Sequence, residues 1–238
     1  MEETGYKRIL LKLSGEQLAG KYDFGIDPDI ASFLADEIKK IVAIGCQVVI
    51  VVGGGNMVRG AKVAGRGIKR VTADQMGMLS GLMNSMALTD IFESSGINTR
   101  CLSNIFAEQV AESYSYRRAE KHLQNGRVVI LAGGIARPYV THDTAGVSFA
   151  LELDCDVVAK ATKYDGVYEK DPAEFNEAAK LTRISLQEAV ENNSIKVMDK
   201  AAIGLANEQN KPIVVFDVMK PDNLLNLVKG QPVGTLIS

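Results

Sequence analysis

The sequence predicts an α/β fold, a three-layer sandwich in which helices cover both faces of a mainly parallel central sheet. Short β-branched apolar runs alternate with stretches of helical spacing along the whole chain. The runs are apolar at successive positions, as strands buried on both faces are. Glycine-rich turns follow several of them, at the strand ends where parallel sheets present their ligand sites.

Taken in order, Arg8–Leu13 (RILLKL) reads as the first strand and Ile30–Ile44, with apolar residues at helical spacing, as the first long helix. Gln47–Val52 (QVVIVV) is the second strand, and Ala73–Ser94 a long apolar helix. The strand Ile97–Leu102 precedes the helix Tyr116–Gln124, and Val128–Ala132 precedes the helix Ala145–Leu153. Val157–Ala161 is a fifth strand, followed by the helices Leu186–Glu191 and Lys200–Asn210. Ile213–Phe216 is the last strand and Leu224–Val228 the last helix. No repeat, low-complexity run or Pro-rich linker divides the chain, so residues 1–238 are expected to form one domain. A softer division into two lobes falls near residue 150, because the glycine loops crowd the first part and charge the second.

With 238 residues, 46% of them hydrophobic, the chain can bury a sizeable core. Its 27 basic and 29 acidic residues leave a net charge of -2, with no positive excess to hold a nucleic-acid backbone. The N-terminal apolar stretch is short and interrupted by Lys12, unlike a signal peptide, and no run has the roughly 18 apolar residues of a membrane helix. Cys46, Cys101 and Cys155 are odd in number and widely spaced, without a CxxC pair. They read as reduced and buried, and the compartment as cytoplasmic.

Four strand ends carry the chemistry. The first strand closes in Lys12-Leu13-Ser14-Gly15, a cation and a glycine at a binding edge, although a strand-end lysine is more often merely solvated. The second runs into Gly53-Gly54-Gly55-Asn56, where backbone N–H groups can converge on an anion, with Arg59 a turn further on. It matches neither the GxxxxGK[ST] nor the GxGxxG pattern, and a tight structural turn is its ordinary alternative. The third opens on Gly133-Gly134, and either Thr141 or Asp143 can cap the helix that follows. The fourth, Thr162 to Pro172, combines an Asp165-Gly166 turn with two tyrosines that suit either a hairpin or the wall of a nucleobase site. Together these loops favour a nucleotide site over four unrelated turns.

The segments KLSGE, GGGNMVRG, ADQMGM, GGIARPYVTHDTA, KATKYDGVYEKDP and IKVMDKAA, in this order, resemble bacterial UMP kinases, a branch of the amino acid kinase superfamily, over almost the whole chain. The resemblance implies the amino acid kinase-like fold and transfer of the γ-phosphoryl group of ATP, as MgATP, to UMP in pyrimidine nucleotide synthesis. It implies that Lys12, Leu13, Ser14, Gly15, Gly55 and Arg59 hold ATP phosphates, and that Thr162, Tyr168 and Asp171 line the adenosine side. Gly54 would touch UMP, Asp74 its ribose, and Ile135, Ala136, Arg137, Pro138, Tyr139, Val140, Thr141 and His142 would form the UMP loop. That loop departs from the TGNPFFTT of many relatives at several positions. By the same resemblance the protein is a homohexamer, GTP activates it through the Gly20–Gly25 region, and UTP inhibits it.

A phosphate monoester with a second pKa of about 6 is mostly dianionic at neutral pH and needs no general base. Catalysis must then come from positioning and from cations along the line of transfer, with Lys12, Asp143 and Arg59 the catalytic candidates. Asp143 would orient Lys12 or hold magnesium indirectly; no protein-only metal site is expected. Asp199 could share that ordering duty or simply begin a helix, and His142 is a hydrogen-bonding neighbour. Two other readings stay open at this stage: a carbamate or acylamino-acid kinase of the same superfamily, and a catalytically silent nucleotide sensor.

Overall fold

The computed structural model describes residues 5–58, 67–170, 175, 177–192, 195 and 198–238. A nine-stranded sheet runs through it, with β1 (Arg8–Leu13) and β2 (Gln47–Val52) at its centre. Beyond β2 lie β5 (Val128–Ala132), β3 (Thr99–Ser103) and the short β4 (Glu112–Ser113). On the other side of β1 come β6 (Val157–Thr162), β10 (Ile213–Asp217), β11 (Thr235–Ile237) and β9 (Arg183–Ile184). Every pairing in the sheet is parallel except β10 with β11. A separate antiparallel pair joins β7 (Val167–Tyr168) to β8 (Lys180–Leu181).

The sheet is buried on both faces, and alternation sorts its side chains. Ile9, Leu11 and Leu13 join one core with Val48, Ile50, Val52, Val157 and Ala159. That layer is covered by α2 (Pro28–Ala43), the distal half of α3 (Arg70–Ser94) and α8 (Asn223–Val228). Leu10, Val49, Val51 and Val158 face the other core, under α4 (Tyr116–Gln124), α5 (His142–Glu152), α6 (Leu186–Glu191) and α7 (Lys200–Glu208). A four-residue helix, α1 (Gly15–Leu18), follows β1 directly.

Several helices start where a side chain caps them, which satisfies backbone donors that no helical partner can reach. Asp27 accepts from Asp29 N at 3.0 Å to begin α2, and Ser185 from Glu188 N at 3.0 Å to begin α6. Thr141, not Asp143, is the N-cap of α5, whose first residue is His142, three earlier than the sequence reading placed it. The strand expected at Ile97–Leu102 is shifted to Thr99–Ser103 because Ile97 closes the end of α3, its N–H bonded to Phe92 O at 2.9 Å. No described helix is long and apolar enough to cross a membrane.

Candidate active site

The carboxyl ends of β1, β2, β5 and β6 share one edge of the sheet. The chain leaves β1 toward β2 on one side and later returns to β6 on the other. A switch of this kind opens a crevice above the strand ends, the usual ligand position in open α/β sheets.

Lys12 and Lys160 stand directly opposite each other in the β1/β6 ladder. Both alternate onto the face that carries Leu10 and Val158, so two ammonium groups lie on neighbouring strands under α5. Asp143, in the first turn of α5, bridges them: Oδ1 is 2.7 Å from Lys12 Nζ, and Oδ2 accepts from Lys160 Nζ at 2.6 Å. The helix can come this close because residue 146 is glycine, where a Cβ would stand 3.3 Å from Leu10 and 3.7 Å from Lys12. Burial pushes the Asp143 carboxyl up, but the two lysines outweigh it and hold it below the ordinary carboxylate range. Burial and the Lys12 charge pull Lys160 down, opposed by Asp143.

The glycine loops pack on one another. A Cβ on Gly15 would lie 2.4 Å from Gly53 O, and one on Gly54 would lie 2.5 Å from both Gly77 O and Ser80 Cβ of α3. Gly53 has room, its nearest neighbour being 3.6 Å away. Asn84 of α3, fully buried, donates to Gly53 O at 2.7 Å and exchanges amide hydrogen bonds with Asn56, which reaches Gly25 O at 2.7 Å. The Gly20–Gly25 segment is thereby tied to the triple-glycine loop. Ser14 N donates to Gln17 Oε1 at 3.2 Å, fixing the turn into α1, while the Leu13 side chain is sealed in the core.

Gly133 and Gly134 adopt positive φ angles of 76° and 54°, and Asn104 holds Gly134 O at 2.8 Å. Ile135 anchors this loop in the core, whereas Arg137 and Tyr139 are exposed and Ala136, Pro138 and Val140 partly so. Asp74 receives the Tyr139 N–H at 2.9 Å and Arg70 Nε at 2.7 Å, and the Arg70 guanidinium lies 5.3 Å over the Tyr139 ring. The Asp74 carboxylate thus joins α3 to the loop. His142 lies beneath it with Nε2 buried and unpartnered, 2.9 Å from where a Cβ on Gly81 would stand. Burial, then the Lys12 charge, lowers its pKa to about 4, so it is neutral at physiological pH.

Above β6, Thr162 Oγ1 donates to Tyr164 O at 2.6 Å, and the Tyr164 and Tyr168 rings meet edge to face with centroids 6.4 Å apart. Tyr168 donates to Asp165, which also meets Lys180 at 3.2 Å and Lys220 at 3.3 Å and whose pKa falls to about 2. The Asp165-Gly166 turn joins β6 to β7, whose antiparallel partner β8 comes from further along the chain. Arg59 and Asp171 lie outside the described residues.

Sequence reasoning missed Lys160, although a lysine inside the apolar run Val157–Thr162 was itself a signal: a charge in a doubly covered strand needs a partner. It also missed Thr144 and Asn84, which read as ordinary helical residues.

The amino acid kinase family model matches residues 7–217. The chain belongs to the amino acid kinase family. Among solved structures of that fold, the UMP kinase of Bacillus anthracis is 38% identical, with a TM-score of 0.94 over 98% of this chain and 96% of that one. The UMP kinase of Ureaplasma parvum is 30% identical, with a TM-score of 0.90 over 98% of both chains. The uridylate kinase of Archaeoglobus fulgidus is 27% identical, with a TM-score of 0.73 over 97% of this chain and 99% of that one.

Proposed function

We propose that this amino acid kinase is a UMP kinase that moves the γ-phosphoryl group of MgATP to the 5′-phosphate of UMP and releases UDP. The observation that carries the reading is the end-to-end match to UMP kinases, at a TM-score of 0.94 with 38% identity over 98% of the chain.

The Lys12–Asp143–Lys160 bridge suits this reaction. A dianionic acceptor must approach a triphosphate, and the barrier is largely the repulsion between them. Lys12 and Lys160 offer two positive charges beside the strand ends, and Asp143 fixes their separation while cancelling only one of them. Because both Asp143 oxygens face lysines, the carboxylate orients cations and takes no proton. His142, neutral at pH 7, adds no charge to the site.

Lys12, Leu13, Ser14, Gly15, Gly55 and Arg59 would cradle the ATP phosphates, the Ser14 N–H itself being given to Gln17, and Thr162, Tyr168 and Asp171 would flank the adenosine. Gly54, Asp74 and residues Ile135 to His142 would hold UMP, with Ile135 and Thr141 contributing backbone only. Magnesium, arriving with the triphosphate, would neutralise phosphate oxygens; the lysines and glycine amides fit that complex, since they complement anionic oxygens and leave the metal to the phosphates.

The exposed apolar side chains of α3 support assembly into a homohexamer: Leu79 and Met83, one turn apart, are 49% and 53% exposed, and Val71 near the helix start is 42% exposed. The hydrogen-bonded link from Gly25 through Asn56 and Asn84 to Gly53 would carry an effect of GTP bound at the Gly20–Gly25 region to the phosphate loop, with UTP competing as an end product. Residues 1–238 act as one unit in the cytoplasm, with no nucleic-acid partner. The test is a coupled assay with MgATP against UMP, CMP, AMP, GMP, carbamate and acetylglutamate. UMP should turn over fastest and CMP weakly; turnover of carbamate or acetylglutamate with none of UMP would overturn the reading.

A further inference from the structure

We propose that Asp199 and Thr144 form a positioning device for phosphoryl transfer, in which one carboxylate receives two hydroxyl protons and so locks the helix turn that carries Asp143. The inference rests on the UMP kinase reading.

Asp199 lies at the start of α7, and Asp143 in the first turn of α5. Thr141 Oγ1 donates to Asp199 Oδ2, and Thr144 Oγ1 lies 2.9 Å and 3.1 Å from the two Asp199 oxygens. The same carboxylate caps α7 by accepting from Ala202 N at 2.9 Å. Thr141 in turn accepts the backbone N–H of Asp143 at 3.0 Å and of Thr144 at 3.3 Å. A hydroxyl has one proton and two lone pairs, so the Thr141 side chain is fully used. It has no proton left for a substrate phosphate, and its service is to the helix turn.

Only an acceptor-only group can receive both hydroxyl protons and still cap α7, which is what an ionised aspartate is and an asparagine is not. The chain of contacts then runs from α7 through Asp199 to Thr141 and Thr144, into the α5 turn, and through Asp143 to Lys12 and Lys160. Displacing that turn would shift two catalytic cations without touching either. A misplacement of about 1 Å can cost about a hundredfold in rate. Asp199 also adds negative charge beside Lys160, favouring its ammonium form against burial.

Thr144→Val keeps shape and removes the hydroxyl; Thr144→Ser keeps the hydroxyl; Asp199→Asn keeps a cap, since both residues begin helices well. Turnover, UMP KM and melting temperature are measured for each alongside the wild type. Thr144→Val and Asp199→Asn are expected to lower kcat by about tenfold to a hundredfold, with KM within about threefold and melting within a few degrees of wild type. The double variant should lose little more than the worse single one, because both act on one network, and Thr144→Ser should recover most of the turnover. A wild-type enzyme inactive on UMP would sink the underlying reading instead. With an active wild type, the inference is overturned if Thr144→Val turns over normally, if Thr144→Ser is as slow as Thr144→Val, if the two losses multiply, or if the loss follows the unfolded fraction.

Discussion

Asp143→Asn tests the centre of the proposed mechanism, because it deletes one charge and changes almost no volume. In the native protein that charge is shared between Lys12 at 2.7 Å and Lys160 at 2.6 Å, with the three side chains only 11% to 14% exposed. Removing one partner from a buried ion pair costs about 3–5 kcal/mol, since the remaining charge is left uncompensated. Asparagine keeps one oxygen for one lysine, which places the expected loss near the lower end, about 3 kcal/mol. For a chain of this size that is a fall of roughly 6–12 °C in melting temperature, at about 2–4 °C per kcal/mol. Turnover should drop on the order of a hundredfold to a thousandfold, as when a charge-stabilising group is lost, while UMP KM changes little. Adding Lys160→Met on the Asp143→Asn background removes the stranded ammonium and should recover stability without recovering turnover. Steady-state kinetics and thermal melts of the wild type and both variants suffice. A kcat within threefold of wild type, or a further fall in melting temperature on adding Lys160→Met, would refute the bridge as described.

Gly54→Ala should weaken binding of both nucleotides and destabilise the protein by about 1–3 kcal/mol, because its Cβ would meet backbone and Ser80 at 2.5 Å, whereas Gly53→Ala, with 3.6 Å of room, should be nearly silent; equal effects in paired melts and titrations would contradict this. His142, near 6.5 when unfolded and about 4 when folded, binds a proton in the unfolded chain first, so its stability contribution is full above about pH 6.5 and is lost as pH falls toward 4. That loss is roughly 3 kcal/mol, and His142→Gln should flatten the acid limb of a denaturation series over this window; unchanged slopes would refute it. Leu79→Glu with Met83→Glu should convert a hexamer into smaller species by light scattering at micromolar concentration, and a wild type that is already monomeric would dispose of the assembly.

Six central strands were legible because each is buried on both faces and therefore reads as an unbroken apolar run. The unpredicted strands fail that condition. Glu112–Ser113, Val167–Tyr168, Lys180–Leu181 and Arg183–Ile184 are two residues long, and Thr235–Ile237 three, too short to carry any period. They form because a neighbouring backbone offers hydrogen bonds, which is a tertiary fact. The α5 start was misplaced for a related reason: in Thr141-His142-Asp143-Thr144 several residues could cap, and only Asp199, 55 or more positions away, selects Thr141 by taking its proton.

The site was legible as loops, and its charge network only as far as Asp143 beside Lys12, without Lys160. Glycine announces itself locally, since runs such as Gly53–Gly55 have few structural uses. A lysine pair does not, because Lys12 and Lys160 are separated by most of the chain and meet only through the parallel register of β1 with β6. Two like charges on adjacent strands, roughly 4.8 Å apart in the hydrogen-bonding direction, would oppose folding on their own. The carboxylate of Asp143 makes their juxtaposition tolerable, yet a single negative charge leaves the trio with one positive charge over. A hydrophobic pair at these positions would fold more easily and do nothing. An excess cation held at the carboxyl edge of the sheet, under a helix whose first turn is fixed from outside, is stability forgone for an anion that arrives later, and the match to UMP kinases supports phosphate as that anion.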